Sequence, residues 1–486
     1  MKNRIFLAIL LLLTLKIFAQ GESFGFTSSN YAGANSVLLN PSAMHNQNTW
    51  LSYNLVSANL FFHTDFAYLD KNDFRIRDLF NPNYVLPSHY TGYVDDFPHY
   101  SFNHDRNTSI DISNRIIGPS LMISYNQHAF AITSATRFQT NVRNLTPDLA
   151  NILAYGFHYT PQWGKKYEVK DLNGTTMAWS EIGLSYAYRI DKESFDSWSF
   201  GVSIKRLLGA GGAYMQVDKT TYGLFDAETI GVANQQAEIG FSVPLDYDNN
   251  EFIDYNILNG RGWSMDLGFN YQALLKNQPK LNAESFCEQP IIAYKYRIGV
   301  ALMDIGSINY KQNAQTHNFS RGDEQIAETE VILGNNVNDV MTELSNLFYN
   351  SPTSSLISNT MRIALPMALS AQFDYNTEFS NIYWNASLIY GLPLKGGALR
   401  RPNQLTITPR YESSQFELGV PLSIYQFRYP HLGLYARIGV LTIGSDWLST
   451  LLGTENFHGL DIYFAVKFQL RKDNCRPKKT FRDACN

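Results

Sequence analysis

The chain has 486 residues, of which 44% are hydrophobic and 14% aromatic, and its formal net charge is −4. The mild acidity argues against nucleic acid as a partner. No stretch of about 20 apolar residues occurs, so the sequence contains no candidate for a membrane-spanning helix.

The first 19 residues predict a secretory signal peptide. Lys2 and Arg4 form a short basic region, Ile5 to Leu15 is an almost unbroken apolar run, and Ala19 is a small residue at the expected cleavage point. We therefore expect an exported protein. Without an apolar helix, such a chain can reside in the outer membrane of a Gram-negative bacterium only as a β-barrel.

Residues 20–48 show no strand pattern and are rich in Asn, Ser and Gly. From about residue 50 onward, apolar and polar residues alternate in segment after segment. In the run Leu460 to Leu470, the even-numbered residues are apolar and the odd-numbered ones polar or small, except Tyr463. A period of two places the two sets on opposite faces of a strand, and about 9–11 residues suffice to cross a bilayer.

Five segments show this alternation strongly, and nine show it weakly. The strong ones lie at residues 181–190, 198–205, 263–271, 361–373 and 460–470, and the weak ones near 50–62, 109–125, 128–140, 234–245, 291–305, 380–391, 403–411, 414–422 and 433–443. The count predicts an all-β fold, a transmembrane antiparallel β-barrel of about 14 strands over residues 49–471. The abundant aromatic residues fit the girdles that such barrels place at both lipid interfaces.

The connections are of two kinds. Short turns are predicted at Asn126-Gln127 and Glu412-Ser413-Ser414, and a short helix over Val337 to Leu347. Long insertions are predicted near residues 66–108, 140–176, 209–233 and 306–360. Residues 472–486 form a basic tail, which we expect in the periplasm.

Charged residues in the alternating segments should face the lumen, because each would be costly in hydrocarbon. These residues are Glu181, Arg189, Lys205, Glu238, Asp266, Arg297, Arg362, Glu417, Arg437, Asp461 and Lys467. Their mixed signs favour a cross-linked lumen, or one plugged by the N-terminal segment, over a simple ion-selective pore.

The cysteines leave two alternatives open. Cys475 and Cys485 are ten residues apart in the tail, and an oxidising periplasm would permit a disulfide between them. Both would otherwise stay reduced in a frayed terminus. Either alternative leaves Cys287 without a partner.

Four stretches carry a resemblance to a known family. They are Asn30 to Asn35 (Asn-Tyr-Ala-Gly-Ala-Asn), Asn40-Pro41-Ser42, Met361 to Leu369 and Ala436 to Asp446. Together they resemble an uncharacterised outer-membrane family of Bacteroidota, a domain of unknown function. More remotely, the early Asn-Pro motif is similar to that of the long-chain fatty acid transporter (FadL-like) barrels, to which the PorV-like barrels of type IX secretion look related.

In those transporters the N-terminal segment forms a hatch inside the barrel. The resemblance therefore implies a hatch partly inside the lumen for residues 20–48, with Asn30, Tyr31, Gly33, Asn35, Asn40 and Pro41 as its motif residues. The third residue of the later motif is Ser42 where the transporters have Ala, so the match is loose at that position.

Two functions remain. One is passive transport of a small hydrophobic compound through a hatched lumen, which follows from the resemblance. The other is a non-transporting scaffold or assembly barrel that binds another envelope protein through the 306–360 insertion or the tail. Catalytic motifs such as Gly-x-Ser-x-Gly and His-Glu-x-x-His are absent from the sequence. We therefore expect no enzyme, no cofactor and no metal site, and expect outer-membrane lipid as a partner.

Overall fold

A computed structural model describes residues 23–84, 100–102, 106–157, 159–192, 196–226, 229–253, 259–276, 278–279, 281–321, 327–330, 336–379, 381–394 and 396–475. The predicted signal peptide lies outside the described residues. None of the described helices is both long and apolar enough to cross a membrane.

Strands dominate the described chain. In chain order they are β1 Thr49–Thr64, β2 Ala67–Leu69, β3 Tyr100–Phe102, β4 Thr108–Ile117, β5 Ser120–Tyr125, β6 His128–Leu145, β7 Lys165–Lys192, β8 Asp196–Leu224, β9 Thr229–Ser242, β10 Gly260–Leu274, β11 Tyr294–Tyr310, β12 Ala314–Arg321, β13 Ala327–Glu330, β14 Leu356–Ser358, β15 Met361–Ala364, β16 Ala368–Asn376, β17 Ile382–Gly391, β18 Gln404–Glu412, β19 Phe416–Gly419, β20 Leu422–Tyr425, β21 Tyr429–Leu432, β22 Leu434–Ile438, β23 Leu441–Ser445 and β24 Gly459–Arg471.

Helices are few and short. The α-helices are α1 Phe24–Thr27, α2 Pro147–Tyr155, α3 Val337–Tyr349 and α4 Leu448–Leu452. The 3-10 helices are Gly33–Leu38, Pro41–Asn46, Ile76–Phe80, Thr160–Gln162 and Phe286–Glu288. The helix predicted over residues 337–347 is confirmed as α3, and the side chain of Asn336 caps its N-terminus by accepting from the Asp339 amide at 2.8 Å.

The strands close into a 14-stranded antiparallel barrel, which confirms the predicted fold class. Around the wall the order is β1, β4 with β5, β6, β7, β8, β10, β11, β15 with β16, β17, β18, β19 with β20, β21 with β22, β23 and β24. The pairing of β1 with β24 completes the ring and leaves the wall without an open edge. One end has mostly short turns, such as residues 126–127 and 413–415, and we refer to it as the short-turn end.

The alternation along each strand gives the barrel an apolar outside and a polar inside. Leu184, Trp263 and Ile443 point outward and are 62%, 60% and 56% exposed, whereas their inward neighbours Ser185 and Asp266 are buried. A wide band of exposed apolar side chains around a closed barrel is the pattern of strands that face hydrocarbon.

Two strands extend far beyond the others at the end opposite the short turns. β7 has 28 residues and β8 has 29, and the far part of β8 pairs with β9 from Gly212 to Leu224. β9 then pairs with β12 and β13, and helices α2 and α3 pack on this extension, which we call the cap. The long connections predicted at 140–176 and 209–233 are shorter in the structure: only 146–164 and 225–228 lie between strands. The remaining residues extend β6, β7, β8 and β9, which satisfy one another's backbone hydrogen bonds there.

The inside–outside alternation reverses once along β11. Asp304 has a left-handed backbone (φ 57°), and the register to β10 shifts at this point. Val300 faces outward below the reversal, and Ile308 is buried inside above it. The next strand of the wall is interrupted at the same level. The break lies between β15 and β16, where Pro366 has no N–H to donate.

Candidate functional site

The lumen is filled by the N-terminal plug, which we define as residues 23–48. Its helix α1 and its two 3-10 helices lie inside the wall, and nearly all of its side chains are buried. Its C-terminal end is held next to the end of β24, where the Lys472 amide donates to the Asn48 carbonyl at 3.0 Å. The described plug residues therefore occupy the lumen.

Asn40-Pro41-Ser42 contacts the wall where the wall has glycines instead of side chains. A Cβ built on Gly201 would lie 2.3 Å from the Ser42 nitrogen, and one built on Gly268 would lie 2.2 Å from Asn40 Oδ1. Gly201 and Gly268 are register partners on β8 and β10, so they form one flat patch. Asn40 Oδ1 accepts from both the Ser42 amide and hydroxyl, which closes the turn.

The other plug motif, Asn30 to Asn35, is held mainly by polar contacts. The Tyr31 carbonyl accepts from Lys467 Nζ at 3.1 Å, and Asn35 Nδ2 donates to Ser57 Oγ at 3.0 Å. Asn30 Nδ2 donates to the Tyr294 hydroxyl at 3.2 Å. Gly33 has φ 61°, a conformation that favours glycine, and a Cβ there would lie 2.0 Å from Ser52 Oγ.

An upper ion network lies between the plug and the cap. It comprises Arg137, Glu181, Lys205, Asp266 and Asp304, all buried. Arg137 Nη1 donates to both oxygens of Asp304 at 3.1 Å, and Lys205 Nζ donates to Asp304 Oδ1 at 3.0 Å and lies 2.7 Å from Asp266 Oδ2. The Asp304 amide donates to Asp266 Oδ1 at 2.7 Å, so the backbone reversal itself is tied into the network.

A lower ion network follows the wall near the short-turn end. It comprises Arg297, Asp374, Arg410, Glu412, Glu417 and Arg437. Arg410 donates two bonds to Asp374 at 3.0 and 2.9 Å and a third to Glu412 at 2.8 Å. The Arg437 guanidinium lies 4.6 Å from the centre of the Tyr31 ring, which links this network to the plug.

The structure places most of the predicted lumen charges inside the barrel. Arg189 is paired with Asp191 at 2.6 Å, and Asp461 accepts from Asn59 Nδ2 at 3.2 Å. Two predictions are wrong. Arg362 is exposed on the outer surface, because the reversal at Asp304 and the break before Pro366 exchange the two faces of β15. Glu238 lies in the cap on β9, which is not part of the ring.

The connection between β10 and β11, residues 275–293, is described except for residues 277 and 280, and its described part forms a strap at the short-turn end. Its Ala283 amide donates to Asn126 Oδ1 at 3.0 Å, and Gln289 Nε2 donates to the Ser124 carbonyl at 2.8 Å. Turn 126–127 joins β5 to β6, whereas the strap joins β10 to β11, and these two pairs of strands are not adjacent in the wall. The strap therefore crosses the short-turn end and contacts a distant part of the barrel rim.

A disulfide between Cys287 and Cys475 joins this strap to the chain that follows β24. Both alternatives that the sequence left open for Cys475, a disulfide with Cys485 or a reduced thiol, are therefore wrong. Cys485 itself lies outside the described residues. The closed barrel brings the strap and the C-terminal segment together although they are 188 residues apart in sequence. Beside this junction, burial lowers the pKa of Lys472 to about 7.

The cap contains an apolar cavity of about 490 Å³. Its lining comes from both helices and from the far ends of β7, β8 and β9, and consists of Leu149, Ile152, Phe157, Val169, Leu172, Met215, Val217, Thr220, Tyr222, Ile230, Val232, Gln235, Val340, Leu344, Leu347 and Phe348. This volume and composition are those of sites for small apolar ligands. The sequence analysis missed this cavity, although the helical spacing of Val340, Leu344 and Leu347 marks one of its walls.

Within the described part of the chain, no group of three or more His, Cys, Asp or Glu side chains has the arrangement needed to hold a metal ion. Most of the charged side chains of the lumen are instead paired with one another, as in the upper and lower ion networks. The arrangement thus combines an apolar cavity in the cap with a polar lumen that the plug occupies.

The model of a protein family of unknown function, DUF5723, matches residues 41–446. The chain belongs to this family. A search of the curated proteins finds no match. The DUF5723 match begins at Pro41, so it includes the end of the plug that lies against Gly201 and Gly268.

Solved structures similar to this DUF5723 chain are outer-membrane barrels of low sequence identity. The "TodX deltaS2S3 mutant monoaromatic hydrocarbon channel" has 10% identity and a TM-score of 0.41, and the match covers 93% of this chain and 99% of that one. A FadL homologue of Pseudomonas aeruginosa has 10% identity, coverage of 93% and 99% and a TM-score of 0.33. The toluene transporter TodX of Pseudomonas putida has 8% identity, coverage of 92% and 97% and a TM-score of 0.28.

Proposed function

We propose that the protein is an outer-membrane barrel that takes up a small hydrophobic compound, which it first binds in the cap cavity. In this arrangement the apolar outer band lies in the bilayer of a Gram-negative outer membrane, the short-turn end faces the periplasm, and the cap faces outward. The apolar cap cavity is the observation that carries the proposal. Uptake is passive and needs no cofactor.

The cavity suits a compact apolar molecule. Its polar lining atoms are few, and the Tyr222 hydroxyl is already engaged with Asp148 Oδ2 at 2.6 Å. A ligand there gains from removal of apolar surface from water, and little polar recognition is available. We therefore expect selectivity by size and apolarity instead of by a particular functional group.

Two neighbouring positions of helix α2 provide a matched test. Ile152 lines the cavity, whereas Leu153 is 64% exposed on the outside of the same helix. Purified protein is titrated with a fluorescent naphthylamine probe. I152K should weaken probe binding at least tenfold because it places a charge in the cavity, and L153K should leave binding unchanged. Equal effects of both variants, or no saturable binding by the unaltered protein, would contradict the proposal.

The filled lumen favours a second function, that of a non-transporting scaffold. The plug and both ion networks occupy the axis, and the charges are mutually paired. Cells expressing the protein, incubated with a labelled apolar compound, distinguish the two functions. Accumulation that I152K abolishes and L153K retains indicates uptake, and binding without accumulation indicates a scaffold with a ligand-sensing cap.

A further inference from the structure

Four cations form an outer basic patch at the cap end of the wall: Arg206, Arg261, Lys311 and Arg362. Arg206 is directly opposite Trp263 on β10, and Asn309 on β11 is directly opposite both Arg261 and Arg362. Opposite residues of antiparallel strands share a face. Arg261, Lys311 and Arg362 are exposed, and Arg206 is partly exposed.

The patch begins where the apolar band ends. Below it on β10, Trp263, Met265 and Leu267 are 60%, 36% and 43% exposed on the same face, and Tyr271 follows near the short-turn end. The eight residue-to-residue steps from Trp263 to Tyr271 span about 20 Å along the barrel axis, given about 3.3 Å per step and a strand tilt of about 40°. That height approaches the apolar band of membrane barrels, so the patch lies at the level of lipid headgroups.

The four cations have no acidic partner among the described residues, in contrast to most cations of the lumen. Arg206 lies 5.0 Å from the centre of the Trp263 ring, and its Nη1 donates to the Gly262 carbonyl at 3.4 Å. Arg362 uses only its Nε, which donates to Ser307 Oγ at 2.9 Å. The terminal nitrogens of Arg362 therefore remain available for a planar anion.

A cavity of about 630 Å³ adjoins the patch, and Lys311, Arg362 and Asn309 are part of its lining. Its one lining carboxylate, Glu238, accepts the Tyr214 hydroxyl at 2.5 Å. The recess therefore presents two cations at the membrane level, and it has room for a headgroup that is larger than a single phosphate.

We propose that the outer basic patch binds the phosphate groups of an anionic lipid in the leaflet on the cap side. The acyl chains of that lipid lie against the apolar band around Trp263, and its phosphates contact Arg261, Lys311 and Arg362. In a Gram-negative outer leaflet, a lipid with this chemistry is a phosphorylated glycolipid such as lipopolysaccharide. This inference rests on the proposed membrane location but not on uptake through the cap cavity.

The test uses the full-length protein in phosphatidylcholine nanodiscs, titrated with lipopolysaccharide, phosphatidylglycerol or inorganic phosphate. R261Q/K311Q/R362Q should weaken lipopolysaccharide binding at least tenfold. The control K192Q/K276Q/K295Q removes three exposed cations near the short-turn end and should have no effect. A heat-dependent gel shift equal to that of the unaltered protein verifies the fold of each variant.

Three results would overturn the inference: unchanged binding by the patch variant, equal loss in the control, or competition by inorganic phosphate at the same concentration as the lipid. Binding of phosphatidylglycerol as tight as that of lipopolysaccharide would also count against a phosphorylated glycolipid. Failure of the unaltered protein to enter nanodiscs would instead refute the membrane location, and the proposed function with it.

Discussion

Neutralising Asp304 should destabilise the barrel by about 3 kcal/mol. The carboxylate accepts two hydrogen bonds from Arg137 and one from Lys205, and all three side chains are buried. Asn keeps one acceptor oxygen and tolerates the left-handed backbone of this position, so D304N removes the charge with little change of shape. Each lost charge-assisted bond contributes about 1.5–3 kcal/mol, and Glu181, 3.5 Å from Arg137, compensates in part.

The assay is reversible urea unfolding of the protein in phospholipid vesicles, followed by tryptophan emission. The double variant R137M/D304N removes both partners, and we expect a coupling energy of about 2 kcal/mol between the two sites because neither charge is then left unpaired. E168Q is the matched control. It breaks the exposed pair between Glu168 and Lys170 (2.8 Å) and should not change the unfolding midpoint. Additive effects of the single substitutions, or a loss below about 1 kcal/mol for D304N, would refute the reasoning.

Three further predictions concern the plug and the strap. In the same urea assay, G201V should destabilise the barrel by about 1–3 kcal/mol, because the new side chain collides with Pro41 and Ser42. The control G174A should be neutral, because its Cβ meets no described atom within 4 Å. C475S should make the strap at residues 275–293 sensitive to protease added at the short-turn end, whereas C485S should not, as gel mapping of fragments would show. The pKa of Lys472 is about 7 in the folded chain and about 10.4 in the unfolded chain. Between these two pH values the unfolded chain binds more protons than the folded one, so the free energy of unfolding should rise from pH 7 to 9. K472M should remove that rise, and an unchanged pH profile would contradict the assignment.

The sequence predicted the number of strands correctly, but through two errors that cancelled. The segment 234–245 belongs to β9 in the cap and is outside the ring. The segment 433–443 was taken as one strand, whereas it contains β22, a tight turn at Gly439 (φ 57°) and the start of β23. Alternation of apolar and polar residues indicates a strand with two different faces, but it does not indicate whether that strand pairs in the ring or in the cap.

The inward direction of charges could be predicted wherever the alternation continues without interruption. Glu181 and Asp266 are examples, since both are flanked by exposed apolar neighbours on the same strand. At Arg362 the inference failed, because a left-handed residue on a neighbouring strand, Asp304, reverses the faces there. The Cys287–Cys475 pairing and the cap cavity also depend on contacts between distant parts of the chain, which local periodicity does not encode.

Two layers of side chains lie inside the barrel below the cap cavity, and they differ in polarity. Below the cap cavity lies an apolar cluster that includes Trp179, Leu207 and Ile363, and below that lies the upper ion network. An apolar molecule in the first layer would displace only apolar side chains, whereas in the second it would displace groups that stabilise buried charges. Axial passage is therefore opposed by the ion network even if the plug moves.

A sideways route through the wall at the same height is the alternative, and it can be tested. The ladder between β11 and its neighbour is interrupted between the pairs Met303–Ala368 and Ser307–Ala364, where the Leu365 amide donates to the Gly306 carbonyl at 3.0 Å. If uptake occurs, we expect the compound to leave through this gap into the bilayer, with the plug in place. Tethering the plug to the wall by an engineered disulfide, N35C/S57C, should then leave accumulation unchanged relative to N35C alone. Loss of accumulation on oxidation, reversed by reduction, would instead mean that the compound follows the axis and that the plug must move.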